Sequence, residues 1–481
     1  MSPVLNKFER SRRQFLRTAS MASMAGISAS PFILGLNSMA AMAQGSGASD
    51  YRALVCVFLQ GGNDGHGTVI ATDPGSFAAF TQARSGAPGL AYPISTLLPI
   101  TLKTPQSGHT FALNPALGGV QNLFNAGRAA IVANSGTLIA PATKAQVNAN
   151  SVPLPSSLFS HFDQTAAWQA IASNGGSSEH VGWGGAVADA IESMNMNSNS
   201  MFTCISTAGI ALFLSGQTSF QLNVTSAGPI PIYGLAQPPF GLPTSSNPLS
   251  SILTADETNL FAKEYGVVVN RSIQAQAMLA SAMLPAGVGG VPNPPQYLDP
   301  QTKMLADNQF AISMQTVARI ISGYASLGVT RQIFYVQLGS FDTHNNQAIQ
   351  HAQLLTQLGQ GLEYFDGLMV AAGLGNQVTS FTASDFGRTL TCNSNGTDHG
   401  WGSHHFVVGG AVQGQDMYGQ YPVIGVNQAN DVGAGRLIPT TSVDQYAGTL
   451  ARWFGLSDSQ VKEVLPNFAN FGANPYLGFM G

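Results

Sequence analysis

Ala53-Leu54-Val55-Cys56-Val57-Phe58-Leu59-Gln60, running straight into Gly61-Gly62-Asn63-Asp64-Gly65-His66, is the stretch on which the fold turns. An unbroken apolar run of this length, rich in branched residues and ended by two glycines, reads as a β-strand buried on both faces. Strands of that kind belong to parallel sheets covered by helices. The same signature recurs along the chain. Ala129–Asn134 (AAIVAN) follows a helix-like segment from Leu117 to Gly127. Gln332–Leu338 (QIFYVQL) follows Asp307–Leu327, where Phe310, Ile312, Met314, Val317, Ile320 and Ile321 recur at helical spacing. Val378–Ala383 (VTSFTA) follows a long helical segment from Asn346 to Ala372. Ser442 with Gln445 forms a capping box that opens a helix running through Trp453. Strand and helix in alternation predict an α/β domain with a largely parallel central sheet. Residues 210–300 differ: Pro229, Pro231, Pro238 and Pro239 crowd a Gly- and Ser-rich stretch, and Ala286–Pro295 reads as a loop. This region is expected to be an irregular insertion on one domain.

The chain opens with Ser11-Arg12-Arg13-Gln14-Phe15-Leu16-Arg17, then a weakly apolar stretch to Met42 and an Ala41-Met42-Ala43 cleavage signal. Paired arginines before such a stretch predict a twin-arginine export leader over 1–43, handled by the twin-arginine export machinery, with the working domain at 44–481. The protein is then periplasmic or secreted. Ser20, Ser23, Gly26, Pro31 and Asn37 make the stretch too polar for a stable span, and no later run reaches the roughly 18 apolar residues of a membrane helix. The leader holds Lys7, Arg10, Arg12, Arg13 and Arg17 against Glu9, so its removal takes the formal net charge from −4 to −8. With only 9% charged residues and no basic cluster, nucleic acid is excluded as a partner. The 44% hydrophobic content is enough to bury a large core. Cys56, Cys204 and Cys392 are odd in number and form no Cys-x-x-Cys pair, so they supply neither a disulfide framework nor a thiolate metal site.

The scarce polar residues gather just past the strands. The first runs into Asn63-Asp64-Gly65-His66, the second into Gly339-Ser340-Phe341-Asp342-Thr343-His344, and the third into Ser384-Asp385-Phe386-Gly387-Arg388. Asp398-His399 and Ser403-His404-His405 follow. Carboxyl ends of parallel strands share one edge, where ligands bind. Asp and His without thiolate suit zinc, manganese, iron or magnesium. Each piece also has a plainer role: Asp64 as a helix N-cap or turn residue, and His404 and His405, on opposite sides of an extended segment, as structural residues. Ser160, in SSLFSHFDQ, is an N-cap with Asp163 at the third helical position, or a nucleophile. Arg388 is a bidentate anion clamp or a salt-bridge partner for a nearby carboxylate. Gly-x-Ser-x-Gly and His-Glu-x-x-His are both absent, which argues against an α/β-hydrolase elbow and a zincin.

Taken together, the paired-arginine leader, LVCVFLQGGNDG, LPSSLFSHFDQTAAWQ, LGSFDTHNNQ, SDFGRTLTCNSNGTDHGWGSHHFVVGGAVQG and SVDQYAGTLARWFGL resemble the exported bacterial family called domain of unknown function 1501. More remotely, that family is similar to the superfamily of alkaline phosphatase, sulfatases and cofactor-independent phosphoglycerate mutase. The resemblance implies an alkaline-phosphatase-like doubly wound sheet with helices on both faces. It implies Asp64 and Asp385 at one divalent metal, Asp342, His344 and His399 at another, and Ser160 as nucleophile, and in such a site Arg388, beside Asp385, could clamp an anionic oxygen. Zinc or manganese is the expected metal, and phosphate or sulfate ester hydrolysis the expected activity. Phe386 departs from the pattern, because the superfamily has His after the late-strand Asp. The Asp342–His344 spacing is also shorter than usual. The alternative is a non-catalytic relative that binds a surface glycan or a partner protein rather than a small anionic ester.

Overall fold

The computed structural model describes residues 50–106, 108–170, 181–235, 238, 241, 243, 247–256 and 258–481. Residues 1–43, where the sequence predicts an export leader, lie outside them. The strands that shape the site are β1 (Arg52–Leu59), β2 (Ala129–Gly136), β3 (Cys204–Ser206), β4 (Gln221–Thr225), β5 (Arg331–Leu338), β6 (Val378–Ser384), β7 (Arg388–Cys392), β8 (Thr397–His399) and β9 (Ser403–Val408). The main helices are α1 (Pro74–Arg84), α2 (Gly118–Asn125), α3 (His161–Ala170), α4 (Trp183–Ser193), α5 (Leu260–Ala282), α6 (Gln309–Ile321), α7 (Gln347–Ala371) and α8 (Val443–Phe454).

One ten-stranded sheet runs through the molecule, with β2, β9, β6, β1, β5, β3 and β4 side by side. The pairs β6–β1, β1–β5, β5–β3 and β3–β4 are parallel, and β9 alone of these seven runs antiparallel, between β6 and β2. Alternation along β1 explains the two-faced burial. Val55, Val57 and Leu59 pack with Met314, Val317, Leu358 and Leu362 on one face. Leu54, Cys56 and Phe58 pack with Val187, Ile191, Tyr446 and Leu450 on the other. Each such large apolar side chain contributes roughly 1.5–3 kcal/mol on burial. Helices α2, α6 and α7 thus cover one face and α4 and α8 the other, a doubly wound α/β arrangement.

The 210–300 insertion holds more regular structure than its composition suggested. It adds β4 to the central sheet and carries the 23-residue α5. That helix is opened by Asn259, whose side chain accepts from the Phe261 and Ala262 amides. Among the described residues no helix is long and apolar enough to cross a membrane. Cys56 and Cys204 are buried and free, as small hydrophobes.

Candidate metal centre

Register decides where the polar turns meet. Leu59 pairs with Leu338 on one side and with Ser384 on the other, so β1, β5 and β6 end level. The chain beyond β1 turns on Gly61, at φ +113°, where a Cβ would lie 2.4 Å from the Asp342 amide nitrogen. Only glycine tolerates both that φ and that approach. The Gly61 amide donates to Asp385 Oδ1 at 3.0 Å, tying the first and third strand ends together.

Around Asp342 three imidazoles converge. His161 Nε2, His344 Nε2 and His399 Nε2 lie 3.3, 3.1 and 3.4 Å from Asp342 Oδ1. His399 Nε2 is also 3.1 Å from His161 Nε2 and 2.9 Å from His344 Nε2. Each ring is oriented from behind through Nδ1. His161 Nδ1 faces Asp385 Oδ2 at 2.7 Å, His344 Nδ1 faces Asp398 Oδ1 at 3.0 Å, and His399 Nδ1 faces the Phe159 carbonyl at 2.7 Å. A carbonyl only accepts, so His399 carries its proton on Nδ1 and presents a lone pair at Nε2. His161 and His344, whose Nδ1 atoms face carboxylates, present the same lone pair when neutral and protonated on Nδ1. Lone pairs aimed at one another and at a carboxylate oxygen repel unless a positive charge lies between them. The atoms His161 Nε2, His399 Nε2 and Asp342 Oδ1 lie 3.1–3.4 Å apart, close to the roughly 3.3 Å between donor atoms of a tetrahedral site with bonds near 2.0–2.1 Å, and His344 Nε2 approaches this triad from the Asp342 and His399 side. The donor set therefore fits a divalent cation, and carboxylate–imidazole pairs behind metal-binding nitrogens are the usual means of fixing them.

The electrostatics follow the contacts. The hydrogen bond that His161 Nδ1 donates to the Asp385 carboxylate raises the His161 pKa above its ordinary value. For Asp342, burial pushes the carboxyl pKa up, but Arg388 and the neighbouring imidazoles outweigh this and hold it below the usual range. His399 is lowered, chiefly by burial. Phe386 is buried with its ring 4.7 Å from both the His161 and His399 rings, so the residue that departs from the superfamily pattern forms an apolar wall behind two imidazoles.

Of the residues singled out in the sequence, Asp342, His344 and His399 stand together. Asp385 stands behind His161 rather than among the converging atoms. Asp64 is placed elsewhere. It caps the helical turn Gly65–Thr68 through the Gly67 amide, receives the Arg84 guanidinium at 2.7 and 2.8 Å, and accepts from Gln347 Nε2 at 2.7 Å. Burial alone would raise its pKa, but Arg84 holds it well below the carboxylate range. Its oxygens are thus engaged by Arg84, Gln347 and the Gly67 amide, apart from the atoms that converge on Asp342.

Arg388 is no free clamp either. It is fully buried, donating to the Gly61, Gly62, Phe341 and Thr397 carbonyls and to Asp342 Oδ1. Ser160 Oγ accepts from the Asp163 amide at 3.4 Å, at the start of α3. His404 and His405 are buried on opposite faces, His404 stacked on Tyr421 and His405 beside Trp168 and Tyr446. The sequence reading missed His161, which stands one residue after Ser160, and Asp398, which stands one before His399. The only local signal was the neighbour itself, a histidine after Ser160 and an aspartate before His399.

An α/β protein with a doubly wound, largely parallel sheet and a His/Asp centre at its carboxyl edge is the class that fold and site define. Residues 299–465, which carry Asp342, His344, Asp385, Asp398 and His399, match the family model described as Protein of unknown function (DUF1501). No curated protein matches the chain. Similar solved structures include one titled for glycosaminoglycan metabolism by Bacteroides thetaiotaomicron (11% identity, 86% of this chain and 74% of that one, TM-score 0.32). Another is the PsFucS1 sulfatase from Pseudoalteromonas sp. (7% identity, 88% and 72%, TM-score 0.33). A third is Ps i-CgsB in complex with k-i-k-neocarrahexaose (10% identity, 86% and 74%, TM-score 0.33). Overlaps of that quality leave the site to be read from its own geometry.

Proposed function

We propose that this chain is an exported metal-dependent hydrolase of phosphate or sulfate esters, built around one divalent ion, zinc or manganese. The observation that carries the reading is the convergence of three imidazole Nε2 atoms on Asp342 Oδ1, each ring held from behind at Nδ1. His161, His399 and Asp342 would hold the ion, with His344 beside Asp342 and His399 as a further donor, and the ion's chemistry is to draw charge from an ester oxygen as a Lewis acid.

The remaining work falls to the chain's own groups. Asp385, Asp398 and the Phe159 carbonyl keep the imidazoles in one tautomer. Arg388 fixes the Asp342 carboxylate from a fully buried position. Ser160, next to His161 at the positive end of α3, supplies the nucleophile. Its Oγ bonds to phosphorus or sulfur as the bond to the alcohol oxygen breaks. The serine proton leaves with that alcohol, and water then frees the serine.

The second reading, a non-catalytic protein that binds a surface glycan or a partner, is favoured by one observation. Arg388 keeps its donors inside the protein and offers no anion clamp beside Asp385. Turnover of p-nitrophenyl phosphate and p-nitrophenyl sulfate by metal-loaded protein, parent against Ser160→Ala, tests the choice. Turnover by the parent and its loss in a variant that keeps the metal is the expected result. Metal without turnover of either ester transfers the conclusion to the binding reading. The leader is tested separately: Arg12→Lys with Arg13→Lys should leave precursor in the cytoplasm, and normal export would contradict it.

A further inference from the structure

We propose that Arg436 is the anion-recognition residue of this centre, taking one tetrahedral oxyanion, a phosphate or sulfate group, at the rim beside His399. The inference rests on the ester-hydrolase reading and gives it the positive contact that Arg388 does not provide. Arg436 Nε donates to the His399 carbonyl at 3.0 Å and Nη1 reaches the Gly433 carbonyl at 3.4 Å, while Nη2 has no hydrogen-bond partner among the described residues. The guanidinium lies over the Phe159 ring, 5.0 Å from its centroid, and the carbonyl of that same Phe159 orients His399. Arg436 is thus anchored to His399 through its side-chain bond to the His399 carbonyl and through Phe159, with one face of the fork unused. Guanidinium forks match tetrahedral oxyanions bidentately.

The turn that delivers this arginine is built with unusual care. Gly433, Ala434 and Gly435 all have positive φ (122°, 56° and 74°), and a Cβ on Gly435 would meet Leu390 Cβ at 2.4 Å. Alanine in the left-handed region is strained by about 1–2 kcal/mol. The turn is held by Asp431, which is wholly buried and accepts from the Asn427, Gly433 and Gly435 amides at 2.7–2.8 Å. Thr391 Oγ1 adds a bond to the Ala434 carbonyl. Strained backbone that its surroundings over-determine clusters at functional sites. The other two arginines nearby do not compete for a ligand: Arg84 is buried on Asp64 and Arg388 is buried among carbonyls.

The test is calorimetric titration of the full exported protein with inorganic phosphate and, separately, inorganic sulfate, alongside metal content by elemental analysis. The parent should bind at least one of the two anions. Arg436→Gln should bind it about tenfold or more weakly, as expected for one lost charge-assisted pair. Arg436→Lys should fall between them because it keeps the charge and loses the fork. Unchanged metal content in both variants shows that the fold and the centre survive, and Arg436→Lys carries the comparison if the glutamine variant is unstable. Equal anion affinity in parent and variants, or no uptake of either anion by metal-loaded parent, overturns the proposal. Anion binding that depends on Arg436 in protein without metal leaves the proposal standing and removes the metal reading.

Discussion

Asp64 and Asp342 occupy matching places, each a few residues beyond the carboxyl end of one of two neighbouring parallel strands, β1 and β5. They end in opposite environments. Asp64 is completely buried and closed by Arg84, the last residue of α1. Asp342 has a side chain 48% exposed and is ringed by imidazoles from α3, the turn after β5, and β8. A strand end sets where a carboxylate emerges; the elements that pack over it later set which positive group it meets. A guanidinium makes Asp64 a structural residue, whereas three half-exposed imidazoles make Asp342 part of a centre open to solvent.

The largest effect should come from taking away the closed side of that comparison. Arg84→Ala leaves Asp64 as a buried unpaired carboxylate, and denaturant unfolding should show a loss of about 3–5 kcal/mol. Arg84→Met should behave similarly as long as Asp64 remains, and Arg84→Met combined with Asp64→Leu should recover much of the stability. A loss under about 1 kcal/mol in the single variants, the range of an exposed pair, would show that the pair does not behave as a buried one.

A third acid, this one buried, sharpens the contrast. Asp444, in the first turn of α8, is hydrogen-bonded to Asn467 without a cation, and burial pushes its pKa up to about 7. The folded protein therefore keeps a proton that the unfolded chain releases near pH 4, and stability falls as pH rises from about 4 to 7, then levels off. Asp444→Asn removes this dependence. Its stability gain over the parent should be larger at pH 8 than at pH 5, by about 2–3 kcal/mol. Asp64, with its lowered pKa, contributes the opposite slope at acid pH. Identical pH profiles for parent and Asp444→Asn would contradict this.

On the open side, Asp385 acts through His161 rather than on a ligand of its own. Asp385→Asn should weaken metal affinity about 10–100-fold, measured by chelator competition, without abolishing it. Complete loss would restore Asp385 to the ligand set, and no change would remove it from the centre.

Much of the fold was legible because it depends on local pattern. The apolar runs at 53–60, 332–338 and 378–383 became β1, β5 and β6 within a residue or two, and the Ser442–Gln445 capping box opens α8 as expected. Level strand ends then brought Asp342 near Asp385. The rest required tertiary packing. Nothing in Thr81-Gln82-Ala83-Arg84 announces that Arg84 will reach Asp64, and α5 emerged from a Pro- and Gly-rich neighbourhood whose helical stretch was masked by its flanks. His161 was hidden by Ser160. A histidine at the first position of a helix reads as part of the cap until α3 is docked over β6, where it meets Asp385.

His161 is accordingly the residue on which the account can be tested most directly. The purified protein should carry about one equivalent of zinc or manganese by elemental analysis. His161→Ala should lose it while Asp64→Asn retains it. Stoichiometric metal in His161→Ala, or none in the parent, would contradict the centre proposed here.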